Sequence, residues 1–338
     1  MRGFWHDRGI AHVGNGYGYA TMTAALAHAL TARGWEWTGG ATDAEVVWQA
    51  CQASAMERVP GAEHLPHVLV TMTETEEVPS DTRRGLDRAD LILTPSSWSR
   101  GVLMSATEKP VAMIGCGVDP DVFKPPPVPR PRTLPFRWLW VGAPNFRKGL
   151  DVLMMTWNGA FAAHGDKVEL YLKTSHGSRP EQIEREQNVI TDWRRLSTEQ
   201  LVSEIYWPAH GFVLPTGGEG WGLVAHEALA TALPAVMTDV PGMRDFAAPG
   251  TFTSVKGRPV RTETSDGTIV TSSWVDPPVL AEAMRLVMAR YPEAAAAADS
   301  NADNARRWTW ERTAERADAA CALRLGLVGT RPGVSLVA

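Results

Sequence analysis

The sequence predicts an α/β protein of two domains, each a doubly wound parallel sheet, the two facing each other across a cleft. Three observations carry this prediction. Short apolar runs alternate with segments of helical periodicity along both halves of the chain, as expected of parallel strands joined by crossover helices. The segment Pro125-Pro-Pro-Val-Pro-Arg-Pro131 breaks the alternation; so much proline is stiff, cannot pair into a sheet and reads as a linker. Finally, 338 residues are long for one domain and suit two of roughly 150 each. The expected division is therefore 1–125, a linker at 126–133, and 134–310.

Composition narrows the class. The chain is 44% hydrophobic and 21% charged, ordinary for a globular enzyme with a full core. A net charge of −5 argues against non-specific nucleic-acid binding. Cys51, Cys116 and Cys321 are odd in number and far apart, without metal-ligand spacing, which points to a reducing cytoplasm. The N-terminus lacks the apolar core of a signal peptide, and no run reaches membrane-spanning length, so a cytoplasmic protein is expected.

Taken in order, residues 10–13 form a weak strand leading into Gly14-Asn-Gly-Tyr-Gly18, and 20–33 follow as a helix ending at Gly34. A dinucleotide-binding fingerprint is the alternative here, since Glu36 lies twenty residues past Gly16. Its third glycine is missing, however: the slot holds Tyr19 or Thr21. Residues 45–48 and 67–72 are strands. The second runs into Thr73-Glu-Thr-Glu-Glu77, an acidic cluster that either faces a ligand crevice or is a solvated loop; whether Glu74 or Glu76 enters a site stays open. Residues 81–88 are helical, and 90–98 are a buried strand leaving into a Ser-capped helix. Asp119-Pro-Asp121 has the look of a metal-binding pair but lacks further carboxylates, so no metal is expected.

Beyond the linker, Phe136-Arg-Trp-Leu-Trp-Val141 is an apolar strand and residue 150 begins a helix. Between them Arg147 and Lys148 sit in a glycine-bounded loop. Two adjacent cations there suit a phosphate clamp, Arg as a fork and Lys as a point charge; a solvated basic turn is the alternative. Residues 168–172 are a strand ending at Lys173, and Ser197 caps a helix.

The stretch Pro215-Thr-Gly-Gly-Glu-Gly-Trp-Gly-Leu-Val-Ala-His-Glu-Ala-Leu-Ala-Thr-Ala-Leu-Pro234 is the most informative. A strand at 211–215 feeds it. Gly217, Gly218, Gly220 and Gly222 disfavour a helix and permit close backbone approach to a ligand, whereas 223–232 are Ala- and Leu-rich and stop at Pro234. Strand, glycine loop and helix together present free N–H groups and a positive dipole end to an anion. Glu219 and Glu227, eight positions apart, would repel that anion and so should face hydroxyls. Phosphate and hydroxyls combine in a nucleotide sugar; solvated glutamates on a capped surface helix are the alternative. Residues 235–239 are a strand, 240–242 a turn, and 251–274 a hairpin around Asp266-Gly267. Residues 278–290, the Ala-rich run at 294–298 and 311–325 are helical. Of the 14 Trp residues, only Trp221 has a positional reason to face a ligand.

The segment Gly218-Glu219-Gly-Trp-Gly-Leu-Val-Ala-His-Glu227-Ala-Leu-Ala resembles the Glu-x7-Glu motif of the retaining nucleotide-sugar glycosyltransferases known as glycosyl transferases group 1. The resemblance extends through the strand–Pro-Ser–helix element at 90–98, the Gly-Val-Asp…Phe…Pro segment at 117–125, Lys148-Gly149 and Trp308-Thr-Trp310-Glu311. It implies the GT-B fold of two Rossmann-like domains, with helix 311–325 crossing back to the first. It also implies a UDP- or GDP-sugar donor, transfer of a hexose-type sugar to an acceptor hydroxyl, no metal and no cofactor. Carried over by position, Glu227 would hold ribose, while Glu219 with Gly220, Trp221, Gly222 and Leu223 would hold the sugar. Lys148 and Arg147 would neutralise the diphosphate, with Gly16 and Lys173 also lining the donor site. The family's His-Asp pair after the third strand is replaced here by Thr73 and Glu74, so no His role is carried over. A nucleotide-sugar epimerase and an NAD(P)-dependent oxidoreductase are the other functional classes. The acceptor stays open among glycan, lipid, small molecule and protein.

Overall fold

A computed structural model describes residues 1–6, 18–130, 134–164, 167–174, 188–248, 250–263 and 267–327. The chain divides into two compact units, 1–117 with 263–270 and 309–338, and 118–262 with 271–308. The division falls at Gly117–Val118, ahead of the proline-rich segment. Among the described residues, no helix is long and apolar enough to cross a membrane, and no group of three or more His, Cys, Asp or Glu is placed to hold a metal ion. The Asp119 carboxylate instead accepts a hydrogen bond from the Asp121 N–H at 2.9 Å, closing its own turn.

The first unit holds a six-stranded parallel sheet in the order β2 (Glu36–Trp37), β1 (Arg2–Trp5), β3 (Val46–Ala50), β4 (His67–Val70), β5 (Leu91–Thr94) and β6 (Val111–Met113). Strands β3 to β5 are buried on both faces, which is why they are mostly apolar, with only Gln49, His67 and Thr94 as polar members. Helices α1 (Tyr19–Thr31), α2 (Ser80–Asp87) and α3 (Ser97–Met104) connect or flank them, and Ser96 caps α3 by accepting the Ser99 N–H at 3.1 Å. The first strand is β1, a segment of 4 residues too short to announce itself. Its Gly3 is required by packing, because a Cβ there would lie 2.6 Å from the Trp37 ring. Trp5, Trp35, Trp37 and Trp48 pack ring against ring, with centroids 5.2–6.2 Å apart. The strand expected at 10–13 and most of the glycine loop after it, including Gly16, lie outside the described residues.

Helix α9 (Trp310–Leu325) belongs to this first unit and packs on α1. Asp318 fixes it there, accepting from Arg33 Nη2 at 3.0 Å and from Trp35 Nε1 at 3.0 Å.

In the second unit the parallel sheet runs β12 (Thr253–Val255), β11 (Ala235–Thr238), β10 (Gly211–Leu214), β7 (Phe136–Val141), β8 (Val168–Lys173), β9 (Val189–Asp192). Around it lie α4 (Leu150–Ala160), α6 (Leu223–Ala230), α7 (Pro277–Ala289) and α8 (Tyr291–Arg306). Helix α5 (Thr198–Gln200) is entered through a capping box made by Ser197 and Gln200, and continues as a π-turn over Leu201–Tyr206. The hairpin expected at 251–274 resolves into the end strand β12 and a separate ribbon, β13 (Arg258–Glu263) with β14 (Ile269–Trp274).

Candidate active site

From β7 the chain of the second unit proceeds outward to β8 and β9, then returns to place β10 on the other side of β7. That reversal is a topological switch point, where loops leaving adjacent strands diverge and open a crevice. The two loops that leave it are 142–149, after β7, and 215–222, after β10. They are the two loops whose residue types suggested an anion site.

Backbone geometry fastens these loops together. Gly149 has φ +67°, and a Cβ there would lie 1.9 Å from the Pro215 carbonyl oxygen, so both conformation and space demand glycine. The Arg147 carbonyl accepts from the Gly217 N–H at 2.6 Å. On its far side the Gly217 carbonyl accepts from the Ser273 N–H of β14 at 2.8 Å. The turn after β11 closes over the second loop, with Gly242 so near that a Cβ would lie 1.8 Å from the Glu219 carbonyl oxygen.

Within this frame Lys148 Nζ lies 2.7 Å from Glu219 Oε1, and Arg147 Nη1 lies 3.2 Å from the same oxygen while donating to the Gly218 carbonyl at 2.7 Å. Thr216 Oγ1 donates to that oxygen as well, at 2.9 Å. Glu219 is 5% exposed. Burial pushes its carboxyl up, but the charges of Lys148 and Arg147 and the hydrogen bonds from Lys148 and Thr216 outweigh burial and hold it below the ordinary value. It is an ionised group with one oxygen crowded by donors.

Helix α6 starts immediately after the loop, at Leu223, behind a left-handed Gly222 with φ +89°. The first N–H groups of a helix have no partner within it, so this end offers donors and a positive dipole end beside Lys148 and Arg147. One turn further on, Glu227 is buried in α6 at 7% exposure, with Oε2 accepting from Tyr206 Oη at 2.6 Å. Burial pushes its carboxyl up to about 7, against the opposing pull of the Tyr206 hydrogen bond and the Lys148 charge. Lys148 pairs directly with Glu219, and its charge also favours the ionised form of Glu227.

Other expected residues do different work. The Trp221 indole is not a sugar-facing surface: it is 1% exposed and packs on Phe246 and Trp308, with centroids 5.0 and 5.1 Å away. Its Nε1 donates to His226 Nδ1 at 3.2 Å, and His226 Nε2 reaches the Ala305 carbonyl at 2.8 Å, so the loop is tied to the end of α8. Only the backbone of Trp221 stays with the loop. Lys173 does not join the group either. Its buried ammonium donates to the carbonyls of Arg194, Thr174 and Asp192 at 2.6, 3.2 and 3.4 Å, and burial lowers its pKa. Tyr206 and Thr216 went unnoticed in the sequence. Thr216 could have been suspected from its place beside Gly217, but nothing marks Tyr206, because the π-turn that aims it has no sequence signature.

Residues 135–289 match the protein family described as glycosyl transferases group 1. Solved structures resemble the whole chain in fold. Sucrose-phosphate synthase from Thermosynechococcus elongatus superposes with a TM-score of 0.69 at 15% identity, over 96% of this chain and 99% of that one. Anabaena HepE in complex with UDP-glucose gives 0.68 at 13% identity, over 96% and 99%. The pneumococcal O-GlcNAc transferase GtfA, in complex with UDP and GlcNAc, gives 0.59 at 15% identity, over 91% and 61%. Likeness at such identities establishes the fold, two Rossmann-like α/β units of the GT-B kind. No curated protein matches the sequence significantly.

Proposed function

We propose, from the match of its second unit to glycosyl transferases group 1, that this chain is a retaining, metal-independent glycosyltransferase. It would move a hexose-type sugar from a UDP- or GDP-sugar to an acceptor hydroxyl. One observation carries the reading: the switch point of the second unit brings Lys148 and Arg147 onto Glu219 of the glycine loop that leads into α6, the helix whose next turn bears the buried Glu227.

The chemistry follows from the leaving group. Breaking the bond between the sugar C1 and the β-phosphate oxygen leaves charge on a nucleoside diphosphate. Lys148, Arg147 and the first N–H groups of α6 are fixed donors where that charge develops, and their preorganisation is what lowers the barrier. The acceptor oxygen bonds to C1 on the face the diphosphate leaves, and a β-phosphate oxygen takes the acceptor proton. Glu219 suits a ligand of sugar hydroxyls better than a nucleophile: Lys148, Arg147 and Thr216 all crowd Oε1, and a carboxylate so engaged attacks poorly. Glu227, one turn into α6, would accept from ribose hydroxyls.

The test is incubation with UDP-, GDP- and ADP-glucose, with and without a panel of acceptors, in the presence of a chelator. Release of nucleoside diphosphate that depends on acceptor, with an α-linked product from an α-linked donor, is the expected result. Binding without release, or epimerised nucleotide sugar, overturns transfer; an inverted product overturns retention; activity lost to the chelator overturns metal independence.

A further inference from the structure

The π-turn at Leu201–Tyr206 has a consequence for Glu227. Its signature bond, from the Trp207 N–H to the Val202 carbonyl at 2.9 Å, spans five residues and admits one residue more than an α-turn. The extra residue rotates the end of the helix, turning the Tyr206 ring into the interior, 0% exposed, where it meets Phe123 edge-on at 6.1 Å. The distortion is held from outside. Arg130 donates from Nε to the Trp207 carbonyl at 3.2 Å, from Nη1 to Ala232 at 2.8 Å and from Nη2 to Thr231 at 2.7 Å, thereby bridging the ends of the π-turn and α6. Trp207 Nε1 also donates to the Lys124 carbonyl at 2.8 Å. The helix bearing Tyr206 and the helix bearing Glu227 are thus fixed relative to each other, with the two side chains 2.6 Å apart.

We propose that Tyr206 is a positioning residue of the donor site: its hydroxyl holds Oε2 of Glu227 and leaves Oε1 as the atom offered to ligand hydroxyls. This rests on the reading that Glu227 belongs to the donor site. Among the described residues Oε1 has no hydrogen-bond partner. A hydrogen bond donated to a buried carboxylate favours its charged form and fixes its orientation, so the group stays ionised to a lower pH than it would without that donor. The groups that face Glu227 are Tyr206 from the π-turn and Lys148 from the loop after β7, so removing the Tyr206 hydroxyl leaves the Lys148 charge alone against burial.

The test measures binding of UDP-, GDP- and ADP-glucose between pH 5.5 and 9, a range in which a nucleotide diphosphosugar keeps its phosphate charge. Affinity in the unmodified protein is expected to rise with pH, with its midpoint at about 7 and a plateau about one unit higher, as Glu227 ionises. Tyr206→Phe is expected to move that midpoint upward by half a unit or more, lowering affinity at pH 7 by about twofold or more, since one unit is tenfold in the proton equilibrium. Affinity at pH 9 should stay near that of the unmodified protein, which a merely structural lesion would not spare. An unmoved midpoint in a folded Tyr206→Phe overturns the role of Tyr206. If Glu227→Gln binds as the unmodified protein does at every pH, or if none of the three donors binds, the underlying reading of the site fails instead. Should Tyr206→Phe not fold, 3-fluorotyrosine placed at position 206 replaces it: a more acidic phenol is the stronger donor and must lower the midpoint, and an unchanged or raised one overturns the proposal.

Discussion

Lys148 is the residue on which the site's electrostatics turn, because it pairs with Glu219 at 2.7 Å and its charge also reaches Glu227. Replacing it with Ala should cost turnover on the order of 10²-fold, the size seen when one preorganised donor to a developing anion is removed. Steady-state kinetics check this, and an unaffected rate rejects the clamp. Glu227→Ala should weaken nucleotide-sugar binding by about 1–3 kcal/mol through lost charge-assisted hydrogen bonds, measured calorimetrically near pH 8 where the native carboxyl is ionised. His226 makes a separate prediction. Burial lowers its pKa to about 4, so it stays neutral between Trp221 and Ala305. A depressed base contributes stability that is present above pH 6.5 and lost as pH falls toward 4. Glu227 acts in the opposite sense, since a raised carboxyl favours the folded state below its unfolded value near 4.5 and gives up that contribution between 4.5 and 7. Thermal melts from pH 7 to 4 should therefore fall less steeply in His226→Gln than in the unmodified protein; equal slopes would refute the assignment.

At the scale of elements, what matters is which glycines the loops cannot lose. Gly149 and Gly242 both face carbonyl oxygens that a methyl group would strike, at 1.9 and 1.8 Å, and Gly149 also needs its positive φ. Ala at either position should displace the 215–222 loop, lowering the melting temperature and donor affinity together. Gly101 is the contrast: it lies inside α3 with nothing within 4 Å of its missing Cβ. Gly101→Ala should leave binding unchanged and stabilise by about 0.5–1 kcal/mol, read from denaturant melts. Glycine in a helix interior and glycine in these loops are indistinguishable as letters; only the neighbouring backbone separates them. The strand–loop–helix units themselves were readable, since β7 and β10 fall within the expected apolar runs and α6 begins where the glycines end. The π-turn was not, because its residues read as ordinary apolar helix.

On the scale of the whole chain, α9 shows how far sequence neighbours can part. It follows α8 directly, yet it belongs to the unit built from residues 1–117, held by Asp318 to Arg33 and Trp35. Asp318→Ala should cost about 1–3 kcal/mol by leaving two donors unpaired, visible as a lower melting temperature. The alternation of buried strands and helices determined an α/β fold of two parallel sheets, because periodicity and burial are local properties that each segment carries by itself. Glycines, paired cations and spaced glutamates likewise pointed, from residue type alone, to the two loops that the structure joins through Lys148, Arg147 and Glu219. Strand order was beyond them. Only the folded sheet sets β10 beside β7, and that adjacency puts Lys148 on Glu219, turns the Trp221 indole into core and confines Lys173 to its cage of carbonyls. Which side chains meet is a matter of non-local packing, and spacing along the chain does not encode it.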